Sequence, residues 1–187
     1  MYGKGTLFQI DIDGNSFGVT SAATCTPANR VRYITSDMND THVQTIHLHS
    51  THMRFDVALL SPSEHYPVFE WSAKTIHIQD TVYVSGTPHI INQTNIWSGN
   101  TTETFIIDNP WTLLPGTPVL DGPDKNARVI GMVILGGSCI SRRMLKRVCQ
   151  LLSREVSGPM VDNLVTLPLT MEKLTALPTE WGELIGN

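Results

Sequence analysis

The chain has 187 residues, a charged fraction of 16% and a formal net charge of −4 at pH 7. This length suits one well-cored unit or two small half-domains that share a core. The acidic balance excludes a global electrostatic attraction to nucleic acid or to a membrane, and no run approaches the roughly 20 apolar residues of a membrane helix.

The first predicted element is a β-hairpin. Alternating apolar and polar residues at 6–12 and again at 16–20 flank Asp13-Gly14-Asn15, and Asp-Gly is a strong hairpin signal. Short strands punctuated by Gly, Pro and Asn follow along the chain, and they favour an all-β barrel or sandwich over βαβ units. The further predicted strands are residues 31–35, 43–48, 57–60, 81–85, 103–107, 118–120 and 128–135.

Three segments of the chain point to one kind of chemistry. The first is Ser21-Ala22-Ala23-Thr24-Cys25, and the second is Asp56 followed by Val-Ala-Leu-Leu. The third runs from Leu113 to Asp121, contains Pro115-Gly116-Thr117-Pro118, and precedes the apolar strand at 128–135.

In this order the three segments resemble the chymotrypsin-like (trypsin-like) serine proteases. In that family the first segment carries the general-base histidine, the second the orienting aspartate and the third the nucleophilic serine. Here Thr24 stands at the histidine position, Asp56 keeps the aspartate, and Pro115 stands at the serine position. The Gly-Thr-Pro form of the third segment is similar to small proteases within the polyproteins of positive-strand RNA viruses. The resemblance covers Gly5 to about Gly137 and predicts a viral homologue that has lost its catalytic residues.

The resemblance implies an all-β fold of two antiparallel six-stranded barrels, in which Thr24, Asp56 and Pro115 converge near the junction. The barrels are expected at residues 1–62 and 71–139, with a linker at 63–70, a helix at 140–157 and a tail at 158–187. Leu114, Gly116 and Thr117 are the expected relic of the oxyanion loop. Threonine cannot replace histidine as a base near neutral pH, and proline carries no nucleophile, so the resemblance predicts a pseudoprotease.

An active protease with a displaced dyad is the first alternative. It would pair a histidine such as His52 with a nucleophile such as Ser138 or Thr117. Ser138 follows two glycines, and a Gly-Gly loop lining a specificity pocket is the plainer interpretation of that segment. The seven histidines show no metal-binding spacing, and no motif requires a cofactor, so neither a metal nor a cofactor is expected.

The C-terminal part changes character and suggests a binding role. Apolar residues recur at helical spacing between Ser141 and Val156, which predicts an amphipathic helix with a basic face. The tail that follows is rich in apolar residues, and it either folds back on the barrels or docks on a protein partner or a second copy. RNA contact through the basic helix is a further alternative, although no aromatic stacking platform accompanies it. The expected binding residues are Arg142, Arg143, Lys146 and Arg147 on the helix and Leu174, Leu177, Trp181 and Leu184 in the tail.

The cysteine count and the N-terminus indicate the compartment. Three cysteines form no disulfide framework, and no N-terminal stretch has the basic start and apolar core of a secretory signal. The prediction is an intracellular, cytoplasmic protein, in an infected host cell if the chain is released from a viral precursor. An RNA-associated component of a viral replication or assembly complex is a further alternative function.

Overall fold

A computed structural model describes residues 5–25, 30–36, 41–62, 67–98 and 101–155. Of residues 30–36, 41–47, 96–98, 101, 102 and 155 only the backbone is described. The predicted tail at 158–187 lies outside the described residues. None of the helices in the described ranges is long and apolar enough to span a membrane.

The N-terminal half forms one six-stranded sheet. Its hairpin turns at Asp13 and Gly14, with φ of 50° and 87°, which matches the primed turns that Asp-Gly favours. The sheet order is β3-β4-β5-β2-β1-β6. The strands are β1 (Leu7–Ile12), β2 (Asn15–Ser21), β3 (Arg30–Ser36), β4 (Thr41–His52), β5 (Val57–Leu60) and β6 (Val68–Phe69).

This sheet is open, so the predicted pair of closed barrels is wrong for the N-terminal half. The open edges are β3 and β6. Strand β6 has only two residues and pairs in parallel with β1, through Gln9 with Val68 and Ile10 with Phe69. A two-residue edge strand offers too short a ladder to complete a barrel, in which every strand must pair on both sides.

The C-terminal half does form a closed six-stranded barrel, in the order β10-β11-β12-β9-β8-β7. Helix α1 (Arg142–Glu155) follows the last strand. Within the described ranges, 3₁₀ turns connect the elements at Ala22–Thr24, Pro110–Thr112 and Leu135–Gly137. The strands are β7 (Thr81–Val84), β8 (Thr87–Ser98), β9 (Thr101–Ile107), β10 (Pro118–Leu120), β11 (Val129–Val133) and β12 (Ser138–Ser141).

A continuous apolar core joins the open sheet, the barrel and α1. Ile10 and Leu59 of the sheet belong to the same buried cluster as Met132 of β11 and Leu145 of α1. A second cluster fills the barrel around Phe105. Because the helix buries its apolar face against both halves, it fixes the junction between them, which is where the three motif segments lie.

Helix α1 follows the predicted amphipathic pattern. Its buried residues are Met144, Leu145, Val148, Cys149 and Leu152, at the spacing of one helical face. The Ser141 hydroxyl accepts a hydrogen bond from the Met144 N–H at 3.3 Å, as an N-terminal cap does. The helix therefore contributes a packed face to the core and leaves part of its basic face to solvent.

Candidate functional site

Asp56 is held in a tight turn between β4 and β5. Its φ is 58°, in the left-handed region, and its N–H donates to the Met53 carbonyl at 3.2 Å. Its own carbonyl accepts the Ala22 N–H at 3.0 Å, which ties the turn to the 3₁₀ turn at residues 22–24. Asp is one of the residues that tolerate a positive φ, so the sequence suits this turn.

The Asp56 carboxylate accepts three hydrogen bonds, which come from two separate segments. The Ala23 N–H donates to Oδ1 at 2.8 Å, and the Leu135 N–H donates to Oδ2 at 2.8 Å. The Ser21 hydroxyl also donates to Oδ2. These donors belong to the first motif segment and to the turn after β11, so Asp56 links the open sheet to the barrel. A carboxylate with several such donors is a structural anchor.

Thr24 lies beside Asp56 and is buried, with 3% of its surface exposed. Its hydroxyl donates to the Ser21 carbonyl at 2.7 Å and lies 3.2 Å from the Thr20 hydroxyl. A Cβ added to Gly5 would lie 2.5 Å from Thr24 Cγ2 and 3.0 Å from the Pro115 carbonyl oxygen. Thr24 and Pro115 therefore approach each other across the backbone of Gly5, which is the space that a larger side chain would need.

The loop from Leu114 to Thr117 turns its backbone groups into the fold. The Pro115 carbonyl accepts the Thr6 N–H at 3.0 Å. Gly116, with a φ of 90°, donates its N–H to the Val133 carbonyl at 2.7 Å. The Thr117 N–H and hydroxyl both donate to the Leu114 carbonyl, at 3.2 Å and 2.7 Å. Proline has no N–H, and the N–H groups of Gly116 and Thr117 are both bound to carbonyls of the protein itself.

These contacts bring Thr24, Asp56 and Pro115 into one cluster, the Asp56 cluster, where the open sheet meets the barrel. Asp56 bonds to Ser21 and Ala23 in the segment that carries Thr24, and Thr24 meets Pro115 at Gly5. In this arrangement the Asp56 carboxylate binds backbone N–H groups, and Thr24 and Pro115 fill the space around Gly5.

The residues expected to form a displaced dyad do not pair with one another in the described part of the chain. His52 Nδ1 accepts the Phe55 N–H at 3.4 Å, and its ring lies 5.2 Å from the Phe55 ring. Ser138 begins β12, pairs with Ile106 and is half-buried, so its segment is a strand where a loop was predicted. Within the described part of the chain, neither the Ser138 nor the Thr117 hydroxyl is hydrogen-bonded to a histidine.

The predicted binding surface is described only at its helical end. Arg143 and Arg147 are exposed, and Lys146 Nζ lies 5.9 Å from the centre of the Trp71 ring. Arg142 and Arg143 also line a small pocket of about 100 Å³ with Lys74. Leu174, Leu177, Trp181 and Leu184 lie outside the described residues.

One pair of side chains, His89 and Asp108, is not predicted by any pattern in the sequence. His89 Nδ1 lies 2.8 Å from Asp108 Oδ1, and His89 is 6% exposed at the wall of a cavity of about 380 Å³. The pairing depends on the register of β8 against β9, where Ile91 faces Ile107. Strand β8 was not predicted, so no signal in the sequence placed these two residues together.

Two cysteines are buried in the barrel and helix. Burial raises the pKa of the Cys139 thiol to about 12, and it raises the pKa of Cys149 further still, because an apolar interior disfavours the thiolate. Both therefore stay protonated and unreactive near neutral pH. Among the described residues, no group of three or more His, Cys, Asp or Glu side chains is placed to hold a metal ion.

Comparisons with known proteins place this fold. A scan against protein-family models and a search among curated proteins each found no match. Among solved structures, the serine endoprotease of Yersinia pestis matches with a TM-score of 0.55 and 17% identity over 82% of this chain. The match covers 62% of that protease, so this chain spans less than two thirds of its length.

The Rv3671c protease of M. tuberculosis, in its inactive form, matches with a TM-score of 0.52 and 20% identity. That match covers 80% of this chain and 82% of the protease chain. At such identities the likeness is one of fold, and the chain has the β fold of the trypsin-like serine proteases, with one barrel closed.

Proposed function

We propose that this chain is a non-catalytic member of the trypsin-like fold that works by binding protein. The observation that carries the first half of the proposal is the backbone of residues 115–117. An oxyanion hole needs N–H groups aimed at the developing charge, chiefly those of the nucleophile and of the residue two before it. Here Pro115 has no N–H and the Leu113 N–H donates to the Pro110 carbonyl at 3.3 Å, while Gly116 and Thr117 donate theirs to Val133 and Leu114. The buried Thr24 hydroxyl at the histidine position supports the same conclusion, since it donates to Ser21 and cannot act as a base near neutral pH.

The second half rests on apolar side chains exposed around the Asp56 cluster, here called the apolar rim. Trp111 is 80% exposed, Leu135 58% and Leu114 44%. Leu135 is the residue whose N–H binds Asp56, and Leu114 belongs to the Pro115 loop. The turns that carry Trp111 and Leu135 are adjacent, because a Cβ on Gly137 would lie 2.9 Å from Pro110 Cβ. Apolar side chains grouped in this way mark interaction surfaces, and tryptophan is prominent among residues that dominate binding.

Peptide hydrolysis tests the first half. Purified chain is incubated with a fluorogenic peptide library between pH 5 and 9, alongside Ser138→Ala and Thr117→Ala variants. The expected result is no turnover above buffer for any of the three proteins. Turnover that disappears in either variant would overturn the proposal in favour of the displaced dyad.

Self-association of the chain tests the second half, protein binding through the apolar rim. Sedimentation velocity compares the wild type with Trp111→Ala and Leu135→Ala, and Ile78→Ala is the matched control because Ile78 is 52% exposed and belongs to none of the turns that carry the rim. The rim variants are expected to reduce association while the control does not. Equal behaviour of rim and control variants would show that the rim is an ordinary surface.

The C-terminal tail and the basic helix form the other part of the proposed surface. Truncation after Pro159 removes the segment that carries Trp181, the proposed anchor. The shortened chain is expected to stay folded by circular dichroism and to lose binding. If it unfolds or aggregates, the tail belongs to the core and the apolar rim alone remains as the binding surface.

RNA binding through α1 and a viral origin stay predictions of the sequence. A filter-binding titration with single-stranded RNA separates RNA binding from protein binding. Salt-sensitive retention that Arg143→Ala and Arg147→Ala abolish would favour the RNA-associated role.

A further inference from the structure

The cavity beside the Pro115 loop has the size of a small-molecule site. It measures about 380 Å³, and ligand pockets generally span about 300–1,000 Å³. It opens between the β7–β8 hairpin and the segment from Asn109 to Thr117. Leu114 and Thr117 line it and also belong to the Pro115 loop, so the cavity lies next to the Asp56 cluster.

Among the polar residues that line this cavity, His89 on strand β8 is the most buried. Asp108 holds the orientation of its ring. Nδ1 lies 2.8 Å from Asp108 Oδ1 and 3.0 Å from the Asp108 carbonyl oxygen, and both of these atoms are acceptors. The neutral ring therefore carries its proton on Nδ1, which leaves Nε2 as an acceptor. The Asp108 carboxylate is further engaged by the Ile90 N–H at 3.2 Å.

His89 Nε2 has no hydrogen-bond partner among the described residues, although the side chain is only 7% exposed. Among the described residues, Thr51 Oγ1 is the one side-chain nitrogen or oxygen atom that is both fully buried and without a hydrogen-bond partner. His89 Nε2 is therefore not fully buried. Nε2 is thus reachable, and the cavity is the space that His89 lines. A buried acceptor of this kind is costly unless water or a ligand donates to it.

The rest of the wall is uncharged. Val84, Leu113 and Leu114 provide apolar surface, and Ser85 and Thr87 provide hydroxyls. The residues that line the cavity include no Lys or Arg to attract an anion and no carboxylate to attract a cation. The chemistry therefore fits a neutral ligand with one apolar side and a hydrogen-bond donor.

We propose that this cavity binds an uncharged small molecule or side chain that donates a hydrogen bond, from an alcohol or an amide, to His89 Nε2. The Asp108 carboxylate is a positioning group in this site, since it holds the tautomer and the ring orientation without lining the cavity. The inference goes beyond the proposed protein-binding function, and it stands or falls independently of whether the chain hydrolyses peptides.

The test uses benzamide and benzyl alcohol as probes, because each joins a phenyl ring to a donor. N,N-dimethylbenzamide is the control ligand that lacks the donor. Binding is followed in the full chain by the NMR shifts of the His89 ring and of the Ser85 and Thr87 backbone amides. For fragments of this size a dissociation constant of about 1–10 mM is expected. Binding of benzamide alone or of benzyl alcohol alone supports the proposal and identifies the donor class.

Variants then assign the acceptor. His89→Ala is expected to weaken benzamide binding about tenfold, the effect of one lost hydrogen bond. His77→Ala is the matched control, because His77 forms a similar pair with Asp80 at 3.5 Å but is 73% exposed and lies outside the cavity. Equal affinity in His89→Ala, or equal binding of N,N-dimethylbenzamide, would overturn the proposal, as would the absence of saturable shifts with both probes.

A measurement on the wild-type chain covers the case in which His89→Ala does not fold. Long-range ¹H–¹⁵N NMR at pH 8 reports which ring nitrogen carries the proton. The expected state is a protonated Nδ1 and a bare Nε2 whose ¹⁵N resonance shifts when benzamide is added. A proton on Nε2, or an Nε2 resonance that ignores the probe, would also overturn the proposal.

Discussion

Asp56 and Asp108 are two carboxylates that do different work within one fold. Asp56 receives hydrogen bonds from Ser21, Ala23 and Leu135, so its oxygens are used to join segments. Asp108 instead directs one oxygen at His89, which lines a cavity. The comparison teaches that a motif aspartate can use its oxygens to join segments of the chain, while an aspartate outside any motif can orient the ring of a histidine that lines a cavity.

The largest expected effect comes from Gly116, which supports the loop beside Asp56. Its φ is 90°, and a Cβ there would overlap the Thr6 carbonyl oxygen and the Thr20 hydroxyl. Gly116→Ala should lower the free energy of unfolding by about 4 kcal/mol or more, by urea denaturation. Gly86→Ala is the control, because its φ is 80° but no atom lies within 4 Å, so strain alone should cost about 1 kcal/mol. Equal losses in the two variants would mean that the loop tolerates the Cβ.

Replacing the two aspartates sharpens the comparison directly. Asp56→Ala leaves two backbone N–H groups and a hydroxyl without their acceptor, so it should cost about 3–5 kcal/mol of unfolding free energy. Asp108 has a side chain that is 39% exposed, and Asp108→Ala should cost only about 1–2 kcal/mol. A reversed order in chemical denaturation would contradict the assignment of Asp56 as the anchor.

Alkaline pH tests the stability of strand β12, which carries Cys139 and pairs with β11 and β9. Cys139 faces Val133 on one side and Phe105 on the other, between the Gly116 loop and the strand leading to Asp108. Its pKa is raised from 9.0 to about 12 by burial, so the folded state keeps a proton that the unfolded state loses. Stability is therefore full below pH 9 and falls as the pH rises towards 12, by about 1.4 kcal/mol per pH unit for each such thiol.

Denaturation curves between pH 8 and 11 measure this slope. Cys139→Ala should flatten it, since the variant has one ionisable thiol fewer in the unfolded chain. An unchanged slope in Cys139→Ala would show that other groups control the alkaline loss. Cys149, whose pKa is also raised by burial, is expected to contribute to the slope that remains.

The smallest expected effect is the attempted repair of the Asp56 cluster. Thr24→His with Pro115→Ser restores two residue types, but the histidine must enter the space beside Gly5, and the Gly116 N–H still donates to Val133. No peptide hydrolysis above background is expected, because catalysis needs the loop geometry as well as the side chains. Robust cleavage by the double variant would show that the loop rearranges readily.

Local signals in the sequence predicted much of the fold. The Asp13-Gly14 turn gave the first hairpin, and helical spacing gave α1, which begins at Arg142. Strand β8 was missed because Pro88 and several polar residues resemble a loop, and only pairing with β7 and β9 makes this segment extended. The open edge at β6 was likewise unpredictable, since a two-residue strand carries no periodic pattern.

The candidate site divides in the same way. The order of the motifs predicts that Thr24, Asp56 and Pro115 lie close together, and in the structure they form one cluster. The direction of the Gly116 N–H and the partners of Asp56 depend on tertiary contacts with Val133 and Leu135, which no local pattern encodes. The His89–Asp108 pair depends on the register of β8 against β9, which no local pattern encodes either.

The most direct test of the account is covalent labelling with a fluorophosphonate, read by intact mass across pH 5 to 9. Such a reagent forms an adduct with a hydroxyl that an adjacent base and an oxyanion hole activate. We predict no adduct on the native chain, because Pro115 has no N–H, Gly116 and Thr117 donate theirs within the protein, and Thr24 stands in place of the base. A stoichiometric adduct, mapped to Ser138, Thr117 or any other hydroxyl, would contradict it.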